Sequence, residues 1–156
     1  MAYNSDPKIA VIGRALVNVE DELKIRNLIA RVAWETDQWQ STKSYTANYT
    51  EDCIWEIAGQ ISTYHGHAGL SRRLQEMLEQ GICGPGLRAR HCITSLEVIA
   101  DPLDRDTAVA RSFAVMVATE NGKAAVSLYG DYEDTVRRVG DRWLIYRRLI
   151  RIPGGQ

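Results

Sequence analysis

The sequence predicts an α+β fold in which helices come first and an antiparallel sheet follows. Two observations predict it. Apolar residues recur with helical spacing in two stripes of the first half, one before residue 40 and one after residue 66. From residue 88 onward, four runs with strand-like composition follow one another across short turns. Because helices and strands are segregated rather than alternating, an α/β fold is not expected.

The length and charge of the chain limit its possible domain organisation and its possible partners. The 156 residues suit one domain, and we assign residues 18–153 to it and residues 1–17 to an N-terminal arm. Charged residues make up 25% of the chain, basic and acidic ones are interspersed, and the formal net charge is −1. This balance predicts neither a nucleic-acid partner nor a membrane partner.

The cysteines and the lack of targeting signals indicate a compartment. Cys53, Cys83 and Cys92 are odd in number and have no CxxC spacing, so we expect free thiols in a reducing environment. No basic flank precedes an apolar run at the N-terminus, and no apolar stretch is long enough to span a bilayer. The resulting expectation is a cytoplasmic protein.

Three helices are predicted. Asn18 is a good N-cap for a long amphipathic helix from Val19 to about Trp39, with acidic residues in its first turn. Ser41 is a good N-cap for a shorter helix that runs to about Tyr49. A third helix, from Ala68 to Gln80, has an apolar stripe made of Leu70, Leu74, Met77 and Leu78.

Two short strands are predicted between the second and third helices. Residues 50–52 read as a turn, residues 53–57 alternate in polarity as a strand does, and residues 61–64 form a second short strand. The loop from Gly81 to Gly86 is rich in residues that break helices and strands.

The rest of the chain predicts a four-stranded antiparallel meander. Its strands cover residues 88–100, 107–119, 123–139 and 142–152, and Asn121-Gly122 is a strong hairpin signal. A strongly curved sheet of this kind can wrap around the N-terminal helices. An apolar cavity would then lie between the sheet and the helices.

Several short motifs resemble the SnoaL-like branch of the NTF2-like superfamily. They are IRNLIAR at 25–31 followed by Asp37, YTEDCIW at 49–55, YHG at 64–66, RH at 90–91, GDYED at 130–134 and WLIYRR at 143–148. The resemblance covers about residues 19–150. It implies an α+β NTF2-like cone with an internal apolar pocket.

The resemblance also implies an acid–base pair. In similar enzymes, such as scytalone dehydratase, bile-acid dehydratase and hexachlorocyclohexane dehydrochlorinase, an Asp on the first helix holds a His on the long strand, and this His takes a proton from substrate. Asp37 and His91 occupy the two corresponding positions. Arg148 falls where the dehydrochlorinase has a functional cation. Two accessory groups differ, because Val32 stands where those enzymes carry Tyr or Lys, and the apolar Met116 stands near a second acidic or His position.

The chemistry of the two residues agrees with that role. An imidazole titrates near neutral pH, so His91 could take a proton and return it. A carboxylate on its other nitrogen would fix the tautomer and stabilise the imidazolium. The alternative interpretation is a solvated Asp37 at the end of a helix and a surface His91 at the end of a strand.

Other candidate residues would line the pocket. Trp55, Tyr132 and Phe113 have the bulk to hold a flat, apolar ligand, together with Val32 and Met116. The alternative interpretation is that the aromatic residues belong to the apolar core, and in a fold with a hollow core the two roles overlap.

Strand alternation sends Arg147 and Arg148 to opposite faces of the sheet, so one of them could enter the pocket and stabilise a developing anion. Alternatively, both are surface charges paired with acidic residues on a neighbouring strand.

No cofactor and no metal are predicted. The sequence has no P-loop, no GxGxxG and no GxSxG motif. His65 and His67 have no third ligand at a suitable spacing, so solvated loop residues are the preferred interpretation.

The leading functional hypothesis is a cofactor-independent lyase or isomerase that acts on a hydrophobic cyclic small molecule. Two alternatives are a non-catalytic subunit or ligand-binding protein, like the β subunits of ring-hydroxylating dioxygenases, and a polyketide cyclase. The Val and Ala residues on the strand at 107–119 also predict self-association, for which a trimer is favoured over a dimer.

Overall fold

The computed structural model describes residues 17–60 and 62–153, so the arm expected at 1–17 lies outside the described residues except for Val17. Three helices and six strands occur in the described part. The helices are α1 (Val19–Gln38), α2 (Thr42–Thr46) and α3 (Gly66–Glu79). The strands are β1 (Tyr49–Ile57), β2 (Thr63–His65), β3 (Ala89–Ala100), β4 (Thr107–Glu120), β5 (Lys123–Val139) and β6 (Arg142–Arg151).

The long helix α1 forms as the sequence predicts. The side chain of Asn18 accepts a hydrogen bond from the backbone N–H of Asp21 at 3.0 Å, which satisfies one of the unpaired donors of the first turn. Most of the apolar stripe then packs inward and is almost fully buried, namely Ile25, Leu28, Ile29 and Val32, whereas Leu23 is 56% exposed. This face of α1 contacts β3 and β6.

The chain between α2 and β2 differs from the prediction. The helix α2 already ends at Thr46, and β1 begins at Tyr49, so the turn predicted at residues 50–52 is wrong. The reason is a long-range pairing, because β1 lies parallel to β6 and aligns Tyr49 with Ile145. The N–H of Ile145 also donates to the carbonyl of Asn48 at 2.9 Å. These contacts extend a segment whose local sequence favours a turn.

All strands belong to one sheet, in the order β2-β1-β6-β5-β4-β3. The four long strands form the predicted antiparallel meander. The hairpin between β4 and β5 has Asn121 at φ 50° and Gly122 at φ 76°, the two positive values that a type I′ turn requires. The α+β prediction is therefore confirmed.

Breaks in register bend the long strands. The pairing shifts between Thr94 and Glu97 in β3, and Ser95 inside this break has a φ of 53°. Further shifts occur at Met116–Val117 in β4 and at Thr135–Val136 in β5. Because bulges bend a strand and increase its twist, these breaks curve the sheet around the helices.

No helix within residues 17–60 and 62–153 has the length and apolar character needed to cross a membrane.

Asp21 fastens the start of α1 to the sheet. Its buried carboxylate accepts hydrogen bonds from Trp143 at 2.9 Å, from the Arg138 guanidinium and from the Asn18 amide. The hydrogen bond from Arg138, with those from Trp143 and Asn18, outweighs the effect of burial and lowers the pKa of Asp21 to about 2.

Replacing this carboxylate should destabilise the fold in a pH-dependent way. The pKa of Asp21 is lower in the folded chain than its unfolded value of about 3.9, so its contribution is complete above pH 4 and disappears as pH falls towards 2. We expect Asp21→Asn to cost about 2 kcal/mol of unfolding free energy at pH 7. Urea denaturation of both proteins between pH 7 and pH 2.5 measures the difference.

The matched control is Asp106→Asn. Asp106 also binds Arg138, at 3.0 Å, but its side chain is 51% exposed. This variant should therefore lose less than about 1 kcal/mol. A stability difference for Asp21→Asn that stays constant down to pH 2.5 would contradict the proposed role of the charge.

Candidate active site

The end of α1 meets the start of β3 through Asp37 and His91. One carboxylate oxygen of Asp37 lies 2.7 Å from Nδ1 of His91, and the other accepts the backbone N–H of His91 at 2.6 Å. Both side chains are buried, with exposed fractions of 3% for Asp37 and 8% for His91. The carboxylate thus holds the residue by its ring and by its backbone.

This contact sets the hydrogen-bonding state of the imidazole. A carboxylate only accepts hydrogen bonds, so Nδ1 of a neutral His91 carries the proton, and the lone pair lies on Nε2 at the other side of the ring. The last turn of a helix is an unfavourable place for an anion. The two donors of His91 offset this cost for Asp37.

His91 lines a cavity of about 340 Å³ between the sheet and α3. Of the residues predicted for the site, Trp55, Met116 and Tyr132 also line it. Most of the remaining wall is apolar, with Ile57, Met77, Ile82, Leu128, Ile150 and Ile152. His91 therefore lies between a buried carboxylate on one side and an apolar chamber on the other.

Two predicted pocket residues lie elsewhere. Val32 is fully buried, but it packs in the apolar core and not in the cavity wall. The prediction for Phe113 is wrong, because 54% of this residue is exposed. Its neighbours Ser112 and Ala114 are buried, and strand alternation sends Phe113 to the outer face of the sheet.

Arg148 is buried, but it does not reach the cavity wall. Its Nε and Nη2 atoms donate to the two oxygens of Asp134 at 2.7 and 2.8 Å. Its guanidinium carbon lies 4.9 Å from the centre of the Tyr132 ring. Burial opposes the charged form, but Asp134 and Tyr49 raise the pKa of Arg148 overall. Arg147 instead binds Glu56 on the opposite face, so the two arginines do lie on opposite sides of the sheet.

Sequence reasoning missed the contribution of α3 and of the following loop. Arg73 and Met77 come from α3, and Ile82 and Cys83 come from the loop. A signal for Arg73 was present, because it lies three residues after Leu70 and therefore on the apolar face of the helix. A charged residue within such an apolar stripe indicates a buried partner for the charge or a ligand-binding site.

Two further titratable groups of the cavity, Cys83 and Tyr132, remain neutral. Burial raises the pKa of Cys83 to about 12, and the nearby Asp37 carboxylate adds to this effect. Burial also raises the pKa of Tyr132, although Arg148 opposes the increase. Cys83 is therefore a thiol rather than a nucleophilic thiolate, and Tyr132 can donate a hydrogen bond.

The remaining histidines lie apart from this cavity. His65 is exposed at the start of α3, and the Nε2 atom of His67 lies 3.0 Å from the carbonyl oxygen of Tyr49. Within the described residues, no three His, Cys, Asp or Glu side chains are grouped so that they could hold a metal ion.

A family model described as a SnoaL-like domain matches residues 17–149. Among solved structures, an NTF2-like protein with a cystatin-like fold from Novosphingobium aromaticivorans has a TM-score of 0.76 and 22% identity, over 88% of this chain and 85% of that chain. The protein Aln2 from a Streptomyces species has a TM-score of 0.75 and 17% identity, over 88% and 94% of the two chains.

A third structure, also from Novosphingobium aromaticivorans, is provisionally named a scytalone dehydratase; it has a TM-score of 0.68 and 20% identity, over 87% of this chain and 86% of that chain. No curated protein matches the sequence significantly. At these identities the similarity establishes the fold, and the NTF2-like cone predicted from the sequence is confirmed.

The pairing of Arg148 with Asp134 predicts a structural cost for removing one partner. Arg148→Met would leave the Asp134 carboxylate buried without its counter-ion, and we expect a loss of roughly 3–5 kcal/mol. In the double variant Asp134→Leu/Arg148→Met, most of this loss should be recovered, because no charge remains buried. Urea denaturation measures both. A loss below about 1 kcal/mol in the single variant would show that the pair does not support the fold.

Proposed function

This chain belongs to the SnoaL-like domain family, and on that basis we propose that it is a cofactor-independent lyase or isomerase for a hydrophobic cyclic small molecule. The family and its fold fit isomerase-type or dehydratase-type roles as well as ligand binding. The observation that supports catalysis is the placement of His91, with Asp37 on one ring nitrogen and the apolar cavity beside it.

The proposed reaction begins with proton abstraction. The Nε2 lone pair of His91 takes a proton from a carbon of the substrate, the C–H bond breaks, and its electron pair forms a C=C bond. In an elimination, hydroxide or halide leaves from the neighbouring carbon. In a double-bond shift, the imidazolium returns the proton to another carbon. Asp37 stabilises the imidazolium that exists between these steps.

The cavity wall provides the other features that the proposed reaction needs, namely exclusion of water, a hydrogen-bond donor and an aromatic surface. Its apolar side chains exclude water from a bound ring, and its volume suits a small cyclic molecule. Tyr132 remains neutral and can donate a hydrogen bond to an oxygen or halide that leaves. Trp55 offers a flat aromatic surface for the ring.

Exchange of carbon-bound hydrogen tests the proposed base without knowledge of the natural substrate. The probe is 2-tetralone, an apolar cyclic ketone with acidic α-hydrogens, in D₂O, and proton NMR follows the loss of the α-hydrogen signal. We expect the protein to accelerate this exchange, and His91→Asn to lower the acceleration by about 10²–10⁴-fold.

Two further variants test the role of the carboxylate and provide a control. Asp37→Asn should also slow the exchange, because an amide can donate to Nδ1 and would move the imidazole proton to Nε2. His65→Asn changes an exposed histidine outside the cavity and should leave the rate unchanged. Equal rates for the wild type and His91→Asn would contradict catalysis and favour the alternative of a non-catalytic ligand-binding protein.

We further propose that the outer face of the sheet mediates self-association into a trimer. Phe113 and Val115 on β4 lie beside Tyr129 and Val126 on β5, and together they form an exposed apolar patch that we call the outer patch. Phe113, Tyr129 and Val126 are each more than half exposed. Burial of such a patch would favour association.

Light scattering should therefore give a mass near three times the 17.5 kDa of one chain. Phe113→Glu would place a charge in the outer patch and should lower the mass towards that of the monomer. The control is Leu103→Glu, which changes a residue that is 95% exposed between β3 and β4. A monomeric wild type would refute self-association, and a dimeric one would refute the trimer.

A further inference from the structure

Arg73 is an unusual residue in the wall of an apolar cavity. It lies on the inner face of α3, between Leu70 and Met77, which are both buried. Only 14% of its side chain is exposed. Among the described residues that line the cavity there is no Asp or Glu, so Arg73 supplies the permanent charge of this wall.

Two aromatic rings hold the guanidinium in place. Its central carbon lies 5.0 Å from the centre of the Trp55 ring and 5.6 Å from the centre of the Tyr64 ring. Such cation–π contacts fix the position of the group without forming hydrogen bonds to its N–H donors. The guanidinium is therefore oriented in advance for a ligand.

One donor of Arg73 has no partner among the described residues. Its Nε–H is buried and has no hydrogen-bond partner. Its nearest carboxylate is that of Glu76, at 3.9 Å from Nη1, which is beyond hydrogen-bonding distance. The same oxygen of Glu76 already accepts a hydrogen bond from the hydroxyl of Tyr64. A buried donor without a partner is costly, so Arg73 is not fully paired within the protein. Because Nε itself is enclosed, a ligand acceptor would meet the part of the Arg73 side chain that lines the cavity.

We propose that Arg73 determines specificity by binding a carboxylate of the ligand, so that the protein takes an apolar cyclic carboxylic acid. A guanidinium and a carboxylate have matching planar geometry, and the apolar surroundings strengthen their attraction. This inference rests on the proposed function in that it assigns the ligand to the same cavity. With its carboxylate held at Arg73, the ring of the ligand would extend into the chamber that His91 lines.

Calorimetric titration with two isosteric probes tests the subsite. The probes are 2-naphthoate, which carries a carboxylate, and 2-naphthamide, which has the same shape and no charge. We expect the wild type to bind the naphthoate at least about tenfold more tightly than the amide. In Arg73→Met this preference should disappear, with the affinity for the amide nearly unchanged.

The matched control is Arg72→Met. Arg72 is adjacent in sequence and also contacts the Tyr64 ring, at 5.5 Å, but its side chain is 67% exposed and it does not line the cavity. This variant should keep the preference for naphthoate. If Arg73→Met does not fold, as judged by thermal unfolding, Arg73→Gln removes the charge with less loss of packing and serves in its place.

The outcomes separate this inference from the proposed function. If both probes bind with equal affinity, if naphthoate does not bind, or if the folded Arg73 variant keeps the preference, the carboxylate subsite is overturned, whatever the exchange assay with 2-tetralone shows. His91→Asn should keep the naphthoate preference, because Arg73 is intact. A preference that depends on Arg73 supports the subsite even where His91 proves to have no catalytic role.

Discussion

The position of α1 across the sheet depends on two buried carboxylates, one near each end of the helix. Asp21 binds Arg138 and Trp143 and so joins the start of α1 to β5 and β6. Asp37 binds the ring and the backbone of His91 and so joins its end to β3. At a rise of about 1.5 Å per residue, the two contacts are about 24 Å apart along the axis. A helix held by apolar packing alone could slide or rotate on the sheet, whereas these directional contacts fix the position of α1.

Two arginine side chains are largely buried in the interior, and each is stabilised in a different way. Arg148 is matched by Asp134, which accepts from two of its nitrogen atoms and balances its charge without a ligand. Arg73 is held mainly by aromatic rings and keeps a donor without a partner beside the cavity. A complete pair stabilises the fold and offers little to a ligand, whereas an incomplete one gains from binding. Of the two arginines, the geometry therefore favours Arg73 for recognition.

Curvature and strand alternation divide the sheet between two roles. Met116 and Tyr132 face inward and line the cavity, and Phe113 and Tyr129 face outward and form part of the outer patch. A shift of one residue in register would exchange the two faces. The same strands therefore shape the cavity and provide the exposed apolar surface, so both proposed roles depend on one strand register.

The sequence by itself determined the elements that local chemistry controls. The Asn18 cap, the stripe of α1 and the hairpin at Asn121-Gly122 need only neighbouring residues. The short motifs between residues 25 and 148, taken together, pointed to the correct family. Tertiary structure alone decided the rest. It extended residues 50–52 between Tyr49 and Ile54, the two positions on either side at which β1 pairs with β6. It also matched Arg148 with Asp134 and brought Arg73 to the cavity. These outcomes depend on residues far apart in the chain, and helix periodicity and turn propensity, being local, carry no information about such pairings.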